Sequence, residues 1–115
     1  MSNQAFVDAV FSELFSEHFH HYKDALTRPV DGEQDAYARA RNALALLSAG
    51  QRHDVVEFLK VVIADSASVL LETLDGVHFP GDFEGECVVR LDGEEIQGDL
   101  QDMFIQKALG QGIYD

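Results

Sequence analysis

The chain has 115 residues, 46% of them hydrophobic, which suffices for one domain with its own core and is too apolar for a disordered chain. Its net charge of −13 disfavours binding to nucleic acids or anionic membranes, because both require clustered lysine and arginine. No apolar run approaches the roughly 20 residues of a membrane helix, and the start has no basic leader. We therefore expect a cytoplasmic protein that folds as a single domain over residues 1–115.

The first half of the chain predicts two helices. Residues 4–26 carry apolar side chains at three- and four-residue spacing, which is typical of an amphipathic helix, and Pro29 ends this pattern. Asp31 is expected to begin the second helix, with Gln34 as its capping-box partner. Gly50 is expected to stop that helix.

A third, long helix is predicted from about Gln51 to Asp75, with Gly76 as its stop. At about 100° per residue, its large apolar residues fall on one side, which we expect to be buried. These residues, with two small polar ones among them, are Val55, Phe58, Leu59, Val62, Ile63, Ser66, Val69, Leu70 and Thr73.

The C-terminal part predicts a hairpin and a fourth helix. Asp92-Gly93 between two short β-rich runs is typical of a two-residue type I′ turn, which places a hairpin near residues 86–97. Asp99 is expected to cap a last helix that ends at Gly110. The predicted fold is thus α+β, with about four helices and one short antiparallel hairpin.

Three of the five histidines lie within "SEHFHHYKD" at residues 16–24. Helical projection places His18 and His21 on the apolar side of the first helix and His20 on the polar side. Two inward imidazoles three residues apart are a candidate metal or small-ligand site. A third protein ligand is missing from the pattern, so the alternative is that both are packing residues. We expect no other cofactor.

The acidic residues are concentrated in the last third of the chain. From Glu72 to Asp102 there are ten acidic residues and a single basic one, Arg90. Such a surface favours a basic partner, although acidity also serves solubility alone. In general character the chain resembles small acidic immunity proteins that neutralise basic toxins, or nucleic-acid mimics, so an immunity-like or inhibitor-like function is expected. The candidate partner-binding residues are Asp82, Glu84, Asp92, Glu94, Glu95 and Asp99.

The apolar side of the first helix is broader than that of a helix packed on one side. Its apolar arc spans about twice the width that a helix packed on one side needs. This breadth indicates either a central helix or one that contacts another chain, and we expect a homodimer through the N-terminal helix. No nucleophile–base pair can be assembled from the sequence, and the lone Cys87 is expected to be a packing residue. The leading hypothesis is therefore a non-enzymatic interaction module.

Overall fold

The computed structural model describes residues 2–115, and its fold is the mostly helical α+β fold that the sequence predicts. The described residues form four helices and one two-stranded antiparallel hairpin. Helix α1 covers residues 2–27 and consists of an α-helix (Ser2–Ser12), a π-helix (Glu13–His18) and a second α-helix (Phe19–Thr27). The other elements are α2 (Ala36–Leu44), α3 (Ala49–Leu74), β1 (Arg90–Leu91), β2 (Glu94–Glu95) and α4 (Leu100–Gly110).

Helix α1 ends where the sequence predicts. Arg28, which precedes Pro29, has an extended backbone with ψ of 164°. The proline ring disfavours helical geometry in the residue before it, so Thr27 is the last helical residue. The chain then crosses a short connection before α2 begins.

The predicted bounds of the second helix are wrong at both ends. The side chain of Asp35, not Asp31, caps α2 by accepting a hydrogen bond from the backbone N–H of Ala38 at 2.9 Å. Ser48 forms a capping box with Gln51 and begins α3. Gly50 therefore lies in the first turn of α3 and does not stop α2.

The hairpin forms as predicted. Arg90 pairs with Glu95 and Leu91 with Glu94, and the backbone N–H of Ile96 donates to the carbonyl of Val89 at 2.9 Å. The two turn residues, Asp92 and Gly93, have φ of 53° and 82°. A type I′ turn requires positive φ at both positions, and aspartate and glycine are among the residues that adopt it most readily.

Helix α4 begins one residue after Asp99, as predicted, but Asp99 does not cap it with its side chain. The carboxylate of Asp75, at the end of α3, takes that role. It accepts hydrogen bonds from the backbone N–H groups of Gly98, Leu100 and Gln101 at 2.7, 3.1 and 2.8 Å. The end of one helix thus fixes the start of another, which aligns α4 against α3.

The main core lies where α1, α3 and α4 meet, and Ile96, directly after β2, also belongs to it. Phe104 of α4 is fully buried and meets Phe11 of α1 edge to face, with ring centroids 5.5 Å apart. The other members are small or aliphatic: Val7, Ala64, Leu71, Ile96, Leu100, Ala108 and Ile113. A second, smaller core consists of Phe19, Leu44 and Val56, where the end of α1 meets α2 and α3.

The molecule is elongated, with principal extents of 49 × 32 × 24 Å. Its radius of gyration is 17.3 Å, whereas a compact domain of this length has about 13 Å. None of the helices within residues 2–115 has both the length and the apolar character required to cross a bilayer. The two small cores leave a large apolar surface outside them.

Candidate functional site

The main concave feature is an open apolar groove between α1 and α3, closed at one end by α2. Its volume is about 740 Å³. Helices α1 and α3 run antiparallel along it, because Phe6 and Leu74 pack against the main core at one end, whereas Leu26 and Leu59 pack against the smaller core at the other. A groove of this size and lining matches the general character of ligand- and partner-binding sites.

The α1 wall of the groove is a stripe of side chains spaced four residues apart: Phe6, Val10, Leu14, His18, Tyr22 and Leu26. In a regular α-helix this spacing drifts around the axis, since four residues turn more than one full turn. The π-helical segment at Glu13–His18 turns less per residue, with i→i+5 hydrogen bonds. It therefore holds the stripe on one side of α1.

The expectation that the large apolar residues of α3 are buried is wrong for most of them. The fully buried residues of α3 are Val56, Ala64 and Leu71. Most of the predicted apolar side lines the groove or faces solvent instead, and Phe58 and Leu70 are 59% and 67% exposed. This helix consequently carries an apolar surface that no other part of the described chain covers.

A few polar groups lie in the groove. His18 meets the ring of Tyr22 edge to face at 4.8 Å between centroids. Tyr22 stacks on Tyr37 of α2, with centroids 6.2 Å apart and an interplanar angle of 12°. Ser66 contributes a hydroxyl from α3. These side chains supply hydrogen-bonding groups within an otherwise apolar lining.

The structure overturns the expected inward orientation of His18 and His21, whereas His20 is exposed as predicted. His18, His20 and His21 are all exposed, and the residue that enters the core beside them is Phe19. The π-helix explains the difference, because a π segment accommodates one additional residue per bulge and shifts every later residue by one position. Phe19 occupies the direction that a regular helix would give to His18.

The exposed histidines form no ready-made metal centre. His18 lines the groove, whereas His21 lies outside its lining, and its ring centroid is 6.1 Å from that of Tyr22. Across residues 2–115, no three His, Cys, Asp or Glu side chains are grouped closely enough to hold a metal ion. The exposed His53 and the half-buried Glu57 of α3 form a pair at 3.9 Å.

A second, smaller cavity of about 350 Å³ lies on the other side of α1. Lys60, Lys107 and His20 line it, but carboxylates pair with both lysines. Lys107 lies 3.2 Å from Asp8, and Lys60 lies 3.2 Å from Glu57. The hydrogen bond from Gln4, followed by that from Lys107, holds the pKa of Asp8 below its usual value. Sequence patterns gave no sign of this cavity, since its lysines are 47 residues apart.

The acidic end of the molecule consists of the α3–β1 loop, the hairpin and the start of α4. All six of the predicted partner-binding carboxylates are exposed there: Asp82, Glu84, Asp92, Glu94, Glu95 and Asp99. Arg90 approaches Glu95 at 3.4 Å, and the Ser2 hydroxyl donates to Glu94 at 2.9 Å. The second contact brings the hairpin against the first turn of α1, one turn from the groove residue Phe6.

Cys87 lies in the extended segment before β1, half-buried and with a free thiol. The groove tyrosines Tyr22 and Tyr37 were not identified from the sequence as site residues, and only their aromatic character could have indicated them. Comparison of this chain with protein-family models, with curated proteins and with solved structures gave no match.

Proposed function

We propose that this protein is a non-enzymatic protein–protein interaction module that binds a basic partner through its acidic C-terminal third. The observation that carries the proposal is the ten acidic residues between Glu72 and Asp102 with only Arg90 to offset them. In the structure eight of these ten carboxylates are exposed, along the α3–β1 loop, the hairpin and the start of α4. A field of one sign at one end of a molecule steers an oppositely charged protein and gives fast, salt-sensitive association.

The acidic end is anchored to the rest of the fold. This favours a fixed binding surface over a mobile charged tail. Asp75 ties the end of α3 to the start of α4 through three backbone hydrogen bonds. Ile96 of the hairpin is buried in the main core. The carboxylates of Asp92, Glu94 and Glu95 therefore extend from an anchored turn. Such an arrangement is similar in general character to immunity-like and inhibitor-like proteins that neutralise basic targets.

Charge reversal of the hairpin tests this proposal. Asp92→Lys, Glu94→Lys and Glu95→Lys in one variant should abolish capture of the partner from an extract of the cells that make the protein. The matched control reverses the same number of exposed carboxylates on α1, with Glu13→Lys, Glu17→Lys and Asp24→Lys. Quantitative mass spectrometry compares the captured proteins.

The hairpin variant should lose a basic protein that the α1 variant retains. If both triple variants capture the same proteins in equal amounts, the acidity acts only on solubility and the proposal is wrong.

A second candidate function is binding of a small apolar ligand in the groove, with His18 supplying a polar contact. The placement of His18 beside Tyr22, Tyr37 and Ser66 in the groove favours it. His21, the other predicted site residue, would contribute only from outside the lining. Native mass spectrometry of the untagged chain, with and without chelator, tests this candidate. A stoichiometric added mass that disappears in His18→Ala would support it, and a metal lost to chelator would extend it to a metal site.

A further inference from the structure

The surface area of the chain exceeds that of a compact monomer. Its accessible area is 7486 Å², whereas a folded monomer of 12.8 kDa is expected to expose about 6,300 Å². The excess of about 1,200 Å² is larger than the roughly 800 Å² that each partner buries in a standard protein interface. The elongated shape agrees with this excess, since a compact domain has a much smaller radius of gyration.

The apolar part of this area is concentrated along α3. Five of its large side chains are 45–67% exposed: Val55, Phe58, Val62, Val69 and Leu70. They extend the apolar surface beyond the groove, along more of α3 than a bound small molecule would cover. Monomeric proteins rarely leave so continuous an apolar face exposed to water.

We propose that a second copy of this chain covers this face, so that α1 and α3 of both copies form a four-helix arrangement about a two-fold axis. Two antiparallel helices with a groove between them are half of such a bundle. Ser66 and Ala67 lie midway along the α3 wall, and their small side chains permit close approach of the partner helix at the axis. This dimer goes beyond the basic partner proposed above and uses a different surface.

The distribution of charge selects the orientation of the two copies. Residues 23–60, at the α2 end of the groove, carry six basic and six acidic residues. Residues 61–115 carry two basic and twelve acidic residues. A two-fold axis parallel to the helices would place the two acidic ends side by side. An axis perpendicular to them places the acidic end of each copy beside the neutral, base-bearing end of the other, so the structure assigns an antiparallel dimer.

Sedimentation equilibrium of the untagged chain tests the dimer. The parent chain should have twice the monomer mass of 12.8 kDa. Leu70→Glu should raise the dimer dissociation constant by about 30-fold or more, as for a central interface residue. Leu46→Glu is the matched control, because Leu46 is 88% exposed in the turn after α2 and lies outside the groove. It should leave the dissociation constant unchanged.

A monomeric parent chain at 100 µM, or equal behaviour of the two glutamate variants, would overturn the proposal. A monomer that carries a bound apolar molecule would overturn it in favour of the ligand. Circular dichroism of Leu70→Glu separates lost association from lost folding, and Leu70→Ser provides a milder variant if the glutamate does not fold.

Disulfide cross-linking tests the antiparallel orientation. Cys87→Ser removes the chain's single cysteine, and Ser66→Cys then places one thiol near the proposed axis. Copper–phenanthroline with dissolved oxygen should oxidise Ser66→Cys to a covalent dimer, whereas Leu59→Cys, at the groove end, should remain largely monomeric on a denaturing gel. Efficient cross-linking of Leu59→Cys, or none of Ser66→Cys, would overturn the antiparallel arrangement. Loss of partner capture by the hairpin variant would leave this result unaffected, so the two proposals fail separately.

Discussion

The carboxylate of Asp75 accepts a hydrogen bond from the backbone N–H of Leu100, which lies 25 residues further along the chain, at 3.1 Å. The same carboxylate accepts from Gly98 and Gln101. Every helix begins with N–H groups that have no partner within the helix, and a carboxylate there also interacts favourably with the helix dipole. Asp75, at the end of α3, therefore caps the start of α4 in place of a residue from the N-terminus of α4 itself.

Asp75→Ala should destabilise the fold by about 2 kcal/mol or somewhat more, because it removes an N-cap that makes charge-assisted bonds. Asp75→Asn keeps an acceptor oxygen and should cost less. The control is Asp99→Ala, since Asp99 occupies the N-cap position without a side-chain cap bond. Urea unfolding followed by circular dichroism measures all three. An Asp99→Ala loss as large as that of Asp75→Ala would contradict the cross-chain cap.

Arg41 connects α2 to the end of α1 from a nearly buried position, with 5% of its side chain exposed. Its Nε donates to the carbonyl of Ala25 at 2.7 Å, one of the last carbonyls of α1, which have no partner within the helix. Arg41→Ala should cost about 2–4 kcal/mol, because it removes a charged donor and leaves a buried carbonyl unpaired.

Arg39→Ala is the control for Arg41→Ala, as Arg39 also donates to a backbone carbonyl, that of Gln34, but is exposed. Its cost should be below about 1 kcal/mol. Denaturant midpoints of the two variants provide the comparison, and equal midpoints would mean that burial of Arg41 adds nothing.

Because the π-helix contains one extra residue, we expect the fold to tolerate deletion of one residue within it. Deleting the exposed Ser16 should convert Glu13–His18 to regular α-helix and keep Val7 and Phe19 in phase with their cores. The expected cost is below about 1 kcal/mol. Deleting the exposed Ala9 instead turns the preceding residues by about 100° and removes Val7 from the core, for about 1.5–3 kcal/mol. Thermal unfolding compares them, and an equal loss of stability would rule out the extra-residue explanation.

The lowered pKa of Asp8 predicts that the stability of the fold decreases slightly at acid pH. Hydrogen bonds from Gln4 and Lys107 hold its pKa below the usual 3.8. A carboxyl with a lowered folded-state pKa contributes stability that is fully present above its usual value and is lost as the pH falls through the lowered one. A carbon-13 NMR titration of the Asp8 carboxyl should therefore give a midpoint below 3.8. Gln4→Ala and Lys107→Met should each raise it, and an unchanged midpoint in both would contradict the two contacts.

Several elements follow from the sequence because their causes are local. The amphipathic spacing before Pro29 predicted α1. Asp92-Gly93 predicted the hairpin turn, since few other residue pairs adopt positive φ at both positions. The long apolar pattern of α3 and its end at Gly76, with φ of 75°, were also predicted. The charge asymmetry is a property of the sequence, so the acidic end and its six candidate partner-binding carboxylates could be proposed without coordinates.

The tertiary structure decided what local patterns do not encode. The sequence could not show that the side of α3 with Phe58 and Leu70 stays exposed, because burial depends on which surfaces the rest of the chain reaches. The π-helix rotated His18 out of the core and Phe19 into it, since one extra residue changes the phase of everything after it. Asp75 displaced Asp99 as the cap of α4 because two helix ends meet in space, 25 residues apart in the chain.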